Sequence, residues 1–161
     1  IARGLGTHKM NLRLVPKQGR GGVVLLDDTY NSSPASAQAA LDLLAELPGR
    51  HLAVLGDMLE LGAYELEGHR QVGQHCAQVL APGVDVLIAV GPRARHIADA
   101  ALAAGMDESL VYTPADNPSA LELIRSLTQP GDIVLVKGSR GMAMEQIVDP
   151  LTTDDRGAQH G

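Results

Sequence analysis

The feature that most constrains this chain is an alternation of short apolar runs with segments of helical length. The runs are nearly continuous in hydrophobicity, as expected for strands that are covered on both faces. They span residues 23–26, 52–55, 84–90, 110–112 and 133–136. Strand and helix in this order favour right-handed crossovers. The sequence therefore predicts a Rossmann-like α/β fold: a doubly wound, mainly parallel sheet with helices on both faces.

The segments between the runs carry apolar residues on one helical stripe. We predict helices over residues 34–47, 64–81, 93–104 and 118–127, and a short last helix over residues 142–148. Ser33 is a suitable N-cap because Pro34 follows it at the first helical position. Asn117 can cap the fourth helix in the same way.

The two ends of the chain depart from this pattern. Residues 10–15 alternate apolar and polar side chains, which predicts an antiparallel or edge strand near the N-terminus. Residues 16–22 are rich in turn formers and predict a connection into the first parallel strand. Residues 152–161 are polar and aperiodic and predict a disordered tail. The 161 residues are the length of one ordinary domain.

Composition excludes several classes of protein. Thirteen Lys and Arg against nineteen Asp and Glu give a net charge of −6, which disfavours nucleic acid as a partner. A single cysteine, Cys76, excludes an internal disulfide and fits a reducing compartment, and it is most simply a small buried residue. No apolar run approaches the roughly 18–20 residues that cross a bilayer. We therefore expect a cytoplasmic protein that acts without a membrane.

Polar residues follow the predicted strands at the points where the strands end. In a parallel sheet these ends share one edge, and ligands bind in the crevice outside it. We therefore expect side chains that are distant in sequence to converge there. The candidates are Asp28 and Asn31 after the first parallel strand, Asp57 and Glu60 after the second, and Lys137, Ser139 and Arg140 after the last.

Each of these groups has two interpretations. The turn at residues 137–141 has free N–H groups, a hydroxyl and two cations that suit a carboxylate or phosphate, but it can equally be a glycine-rich turn with solvated charges. Asp27 and Asp28 can hold a ribose hydroxyl or a metal, or cap nearby N–H groups in a turn. Asp57 and Glu60 can form a carboxylate pair or cap helices.

Several catalytic patterns are missing from the sequence. It has no Walker A order of glycines, lysine and hydroxyl, and no Gly-x-Gly-x-x-Gly after the first strand, which argues against a nicotinamide-dependent oxidoreductase. Glu65 and His69 are four residues apart, and His75 follows, but no third ligand completes a metal motif. We therefore predict no metal site and interpret these histidines as helix-surface residues.

Three segments, in this order, resemble the carboxy-terminal domain of the bacterial Mur ligases. They are DDTYNSSPAS, VLGDMLELG with the downstream Gly68-His69-Arg70, and VLVKGSRGMAME. The similarity runs from about residue 12 to residue 151. Residues 1–5 (IARGL) are similar to the end of the family's central domain. The resemblance thus implies a linker or central ATPase domain tail over residues 1–9 and a C-terminal domain over residues 10–151.

The resemblance also implies an activity, which is ATP-dependent amide formation in peptidoglycan synthesis. The three segments are similar to those of a member that adds D-alanyl-D-alanine to UDP-N-acetylmuramoyl-tripeptide through an acyl phosphate. In the family a central domain supplies the P-loop and most magnesium ligands. A chain like this one would close over ATP and position the amino substrate, with its own central and N-terminal domains as partners, and would be inactive alone. The alternative is a stand-alone module that binds a nucleotide or anion without catalysis.

Site roles follow from the resemblance position by position. It assigns Asp28 to the ATP ribose and Asn31 to the phosphates, and it assigns no catalytic residue to this domain. Relatives carry an arginine in the interdomain segment that helps to hold the nucleotide. Here Lys9 takes that place, or Arg13 in a rival alignment.

The remaining candidates are assigned to the amino substrate. Lys137, Ser139 and Arg140 match the segment that lines this side of the family's site. Asp57 and Glu60 belong to a motif typical of this ligase and are placed on the same side.

Overall fold

The structure, a computed structural model, describes residues 13–153 and contains one six-stranded sheet. The strands lie in the order β1-β2-β6-β3-β4-β5, and every pairing is parallel except that of β1 with β2. The predicted doubly wound sheet is confirmed. The strands are β1 (Val15–Gln18), β2 (Val24–Asp28), β3 (His51–Gly56), β4 (Val86–Val90), β5 (Val111–Tyr112) and β6 (Ile133–Lys137). The helices are α1 (Pro34–Glu46), α2 (Glu65–Val79), α3 (Arg95–Ala103), α4 (Asn117–Leu127) and α5 (Glu145–Leu151).

Two hydrophobic clusters, one on each face of the sheet, explain why the strands are apolar throughout. Along β3, Ala53 and Leu55 enter the cluster that contains α1, α2 and α3, whereas Leu52 and Val54 enter the cluster that contains α4 and α5. Successive side chains of a strand point to opposite faces, so a strand buried on both faces is mainly apolar along its whole length.

The N-terminal strand lies further along the chain than the sequence predicted. Residues 15–18 form β1, although the prediction placed the strand at residues 10–15 and a connection at residues 16–22. Pro16 has no N–H to donate, which an edge strand tolerates. Lys17 pairs with Leu25 in the register and its ammonium lies 2.7 Å from the Asp27 carboxylate, which stabilises the strand. Residues 10–12 lie outside the described part of the chain.

The predicted disordered tail starts too early. Thr153 donates its backbone N–H and its hydroxyl to the carbonyl oxygen of Gln18, at 2.9 and 2.7 Å. These bonds attach the end of α5 to β1, so residues 152 and 153 belong to the fold. Residues 154–161 lie outside the described residues.

Helix caps explain where two helices begin. Ser33 caps α1, as predicted, and its hydroxyl accepts the N–H of Ser36. The prediction that Asn117 caps α4 is wrong, because Asp116 accepts the N–H of Ser119, and this bond holds the pKa of Asp116 below its usual value. Asn117 instead donates its side-chain amide to the carbonyl oxygen of Met142 at 2.8 Å.

Two residues of α2 lie in the core. Cys76 is fully buried, as predicted. His69 is also fully buried, so its interpretation as a helix-surface residue is wrong. His69, Val72 and Cys76 are spaced to share one helical face, and that face points inward.

Burial raises the pKa of the Cys76 thiol to about 12. The unfolded chain ionises this thiol near its ordinary pKa, so the folded state loses stability as the pH rises from that value towards 12. Above pH 9 we expect this group to lower the free energy of unfolding by up to about 1.4 kcal/mol per pH unit. The fall would be measured as a lower urea midpoint. A Cys76→Ala variant should lack this component of the decline. Parallel pH profiles of the two proteins would contradict the expectation.

Candidate functional site

The carboxyl ends of β2, β3 and β6 lie side by side, and the predicted site residues converge there. Asp28 and Lys137 are partners in the register between β2 and β6. Ser139, two residues beyond β6, donates its N–H to the carbonyl oxygen of Asp57 at 3.0 Å. The expectation that Asp28, Asp57 and the segment after β6 share one edge is confirmed.

A buried ion pair lies at the centre of this edge. The Lys137 Nζ is 2.9 Å from Asp28 Oδ2 and 3.0 Å from the carbonyl oxygen of Asn31, and the two side chains are only 2% and 3% exposed. Buried charges of this kind persist only when they are paired. Lys137 therefore fastens the loop after β2 to the end of β6.

Asp57 is buried and acts on the start of α3. Its Oδ1 accepts the N–H of Ala94 at 2.7 Å, and Arg93 lies 3.5 Å from its Oδ2. Gly91 approaches so closely that a Cβ at this position would lie 2.6 Å from Oδ1. Of the two interpretations of Asp57, the structure favours capping.

Glu60 lies in different surroundings from Asp57. It is exposed and has a φ of +67°, in the left-handed region that few residues other than glycine adopt. The chain reverses here between β3 and α2. Glu60 therefore presents its carboxylate to solvent, whereas the Asp57 carboxylate is turned towards α3.

Ser139 fixes the loop that follows β3. Its hydroxyl oxygen accepts the N–H of Leu59 at 2.7 Å, and the residue is 4% exposed. Met144 fills the space beneath, where a Cβ on either Gly56 or Gly138 would overlap its sulfur. The two strand ends can approach this closely because both carry glycine.

An exposed rim of cations and one aromatic ring lies beside the ion pair. The guanidinium carbons of Arg13 and Arg140 are 4.2 and 5.5 Å from the centre of the Tyr30 ring, which is 48% exposed. Asn31 is exposed next to it, and its side-chain oxygen accepts the N–H of Ser32. Lys9 lies outside the described residues.

Three residues of this edge were not among the sequence candidates. Tyr30 is one of only three Tyr, Phe or Trp residues and lies between Asp28 and Asn31 in the sequence, so its position could have identified it as a candidate. Arg93 follows the end of β4; the Glu65 carboxylate 2.9 Å away raises its pKa. His69 belongs to a segment quoted above, and its spacing with Val72 and Cys76 on one face of α2 could have predicted that it is buried.

Within residues 13–153, no three His, Cys, Asp or Glu side chains are grouped closely enough to hold a metal ion. In that same part of the chain, every helix is too short or too polar to cross a membrane.

The chemistry of this edge suits binding and orientation. A buried carboxylate can accept hydrogen bonds from hydroxyl groups, and the two guanidinium groups on the rim can bind phosphate or carboxylate. The exposed ring of Tyr30 offers a surface for packing. The arrangement is thus suited to an anionic ligand that also carries hydroxyl groups, such as a nucleotide.

Comparison with protein families and curated proteins places this domain among known relatives. A family model described as "Mur ligase, glutamate ligase domain" matches residues 12–140. The UDP-N-acetylmuramoyl-tripeptide–D-alanyl-D-alanine ligase of Escherichia coli K12 is 38% identical over 141 residues, which cover 86% of this chain and 29% of the relative. The ligase of the same name from Synechocystis is 40% identical over 136 residues, 83% of this chain and 28% of the relative.

Solved structures agree with this result. The MurF ligase of Thermotoga maritima in complex with ADP matches 86% of this chain with a TM-score of 0.67 and 26% identity. A MurF structure from Acinetobacter baumannii matches 88% with a TM-score of 0.72 and 27% identity. The matches span 29% and 30% of those chains. The present chain thus spans just under a third of the length of its relatives.

Proposed function

Because this chain belongs to the Mur ligase family, we propose that it is the C-terminal domain of an ATP-dependent ligase that adds D-alanyl-D-alanine to UDP-N-acetylmuramoyl-tripeptide. The observation that carries the proposal is the agreement among relatives. Eight curated ligases of this name match 83–92% of the chain at 33–40% identity. The alignments cover only about 29% of the relatives, so amide formation would require the domains that they contain in addition.

In this proposal the Asp28 side of the edge binds ATP. Lys137 occupies Oδ2 of Asp28, and Oδ1 is the oxygen through which the carboxylate would accept the ribose hydroxyls. Asn31, with Lys9 or Arg13 from the preceding segment, would lie near the phosphates. The ADP complex of the Thermotoga relative supports a nucleotide as the ligand.

The segment after β6 would serve the amino substrate. Arg140 is exposed and can pair with a dipeptide carboxylate, and the Ser139 hydroxyl can still donate its hydrogen. Glu60 is exposed near the same loop and can attract the amine. Asp57 would act by fixing the loop and Lys137 by fixing Asp28, because both side chains are already bonded within the protein.

Magnesium and domain closure complete the proposal. The ion would be held mainly by the central domain, where the family carries its phosphate-binding loop, and would neutralise charge on the phosphates. Closure of this domain over the nucleotide would exclude water from the acyl phosphate. We place the reaction in the cytoplasm, in keeping with the reduced thiol of Cys76.

The test is a ligase assay on the complete product of the reading frame that encodes this chain. Release of phosphate from ATP should require both the tripeptide precursor and D-alanyl-D-alanine. The chain alone should release none and should bind ATP only weakly. Submicromolar binding of ATP by the chain alone, without ligase activity in the complete protein, would favour the stand-alone binding module instead.

Asp28→Asn in the complete protein should raise the KM for ATP about tenfold, since a hydrogen bond to a charged group contributes about 1.5–3 kcal/mol. The KM for D-alanyl-D-alanine should change much less. Asp27→Asn is the matched control, because this neighbouring carboxylate is bonded to Lys17 and Thr29. A larger effect on the dipeptide than on ATP would contradict the role of Asp28.

A further inference from the structure

His69 is a buried imidazole with both ring nitrogens bonded. Nδ1 lies 2.7 Å from the carbonyl oxygen of Glu65, and Nε2 lies 3.0 Å from the backbone nitrogen of Met58. A carbonyl oxygen only accepts and an amide N–H only donates, so the proton is on Nδ1 and Nε2 is the acceptor. The hydrogen bonds thus select one neutral tautomer.

The bond to Met58 places His69 behind the loop that follows β3. The next residue, Leu59, donates its N–H to the Ser139 hydroxyl, and Ser139 donates its own N–H to Asp57. The loop over residues 57–59 is therefore fastened by His69 on its inner side and by Ser139 on the side of the candidate site.

The same turn of α2 makes a second connection to this loop. The Glu65 carboxylate lies 2.9 Å from Nε of Arg93, and Arg93 lies 3.5 Å from the Asp57 carboxylate. An apolar side chain at position 69 would fill the core but would leave the Met58 N–H buried without its acceptor. The buried face of α2 is otherwise mainly apolar, and a histidine at position 69 is explained because it accepts the Met58 N–H of the loop over residues 57–59.

We propose that His69 is a positioning residue: through Met58 it holds the loop over residues 57–59, and through that loop it holds Ser139 in place for the amino substrate. The inference rests on the proposed function and adds to it a residue that does not touch the ligand. Two hydrogen bonds connect His69 to Ser139 through the loop: Met58 N–H to His69 Nε2, and Leu59 N–H to the Ser139 hydroxyl.

Two substitutions distinguish the hydrogen bond of Nε2 from that of Nδ1. His69→Gln places a carbonyl oxygen near the position of Nε2 and can still accept the Met58 N–H. His69→Asn is shorter, so its amide can donate to Glu65 but cannot reach Met58. The control is His96→Asn, since the His96 ring packs edge-on against His69 at 6.5 Å and its loss leaves both His69 bonds intact.

Amide hydrogen exchange on this chain is the first measurement. In His69→Asn, exchange at Met58, Leu59 and Ser139 should accelerate about tenfold beyond any change in the slowest core amides, whereas His69→Gln and His96→Asn should stay near the wild-type pattern. If His69→Asn and His69→Gln loosen these amides equally, or only in step with the core, the positioning role is overturned.

The second measurement is steady-state kinetics of the complete protein. His69→Asn should raise the KM for D-alanyl-D-alanine about tenfold with the KM for ATP within about twofold, and His69→Gln should restore the wild-type value. Equal increases for both substrates would overturn the inference. A wild-type protein without ligase activity would instead overturn the proposed function, while the exchange pattern would still decide whether His69 holds the loop.

Discussion

Replacing Lys137 with methionine should lower the free energy of unfolding by about 3–5 kcal/mol, the usual cost of leaving one member of a buried ion pair alone. Methionine replaces the apolar stem of lysine and lacks only the terminal ammonium, so the loss is mainly that of the charge that neutralises Asp28. Urea denaturation followed by circular dichroism measures the effect.

A double substitution and a matched control make this result specific. Lys137→Met combined with Asp28→Leu should recover most of the loss, because two apolar side chains can replace a buried pair at little cost. The control is Lys17→Met in β1, which pairs with β2 on the side opposite to β6. Lys17 binds Asp27 at 2.7 Å with its side chain 34% exposed, so its removal should cost about 1 kcal/mol or less. Equal losses for Lys137→Met and Lys17→Met would show that burial does not govern this pair.

The second large effect is expected at Gly73, where α2 crosses α3. A Cβ on Gly73 would overlap the backbone carbonyl oxygen of Ile97 and lie 2.8 Å from the Ala100 Cβ. Backbone atoms cannot rotate away as a side chain can, so Gly73→Ala must push the two helices apart. We expect a loss of about 3 kcal/mol in unfolding free energy, at the upper end for overpacking.

The adjacent exposed position provides the control for Gly73. Gln74→Ala on the same turn of α2 should change stability by less than about 0.5 kcal/mol. Ala100→Gly should rescue only part of the Gly73→Ala loss, because the Ile97 carbonyl remains. Full rescue would mean that the side-chain contact, rather than the backbone, limits the approach of the helices.

Much of the fold was predictable because burial on both faces leaves a clear pattern. The runs of residues 52–55 in β3, 86–90 in β4 and 133–136 in β6 are apolar without interruption, and that pattern is typical of strands covered by helices on two sides. The convergence of Asp28, Asp57 and Lys137 followed from the same observation, since parallel strands end at one edge.

The pairing of Asp28 with Lys137 could not be predicted from the sequence. It depends on β6 lying next to β2, and the order of strands along the chain does not determine their order in the sheet. Lys137 was therefore interpreted as a ligand contact, a role that remains a prediction. The bond from His69 to Met58 was equally hidden, because it joins a helix to a loop eleven residues earlier.

Other differences came from positions where two neighbours compete for one role. Asp116 and Asn117 are both good N-caps, and only the contact between Asn117 and Met142 explains why Asp116 begins α4. Residues 16–22 were predicted as a connection because they are rich in turn formers, but Pro16 lies in an edge strand, where the missing N–H donor carries no penalty.

The place of β6 in the sheet has a consequence for how the polypeptide is made. Residues 133–137 insert between β2 and β3, so the two strands on either side have no hydrogen-bonded link until this last strand is present. During translation the ribosome must release nearly the whole domain before the middle of the sheet can close. A nascent chain halted before residue 133 should expose the edges of β2 and β3 and need protection by chaperones from aggregation.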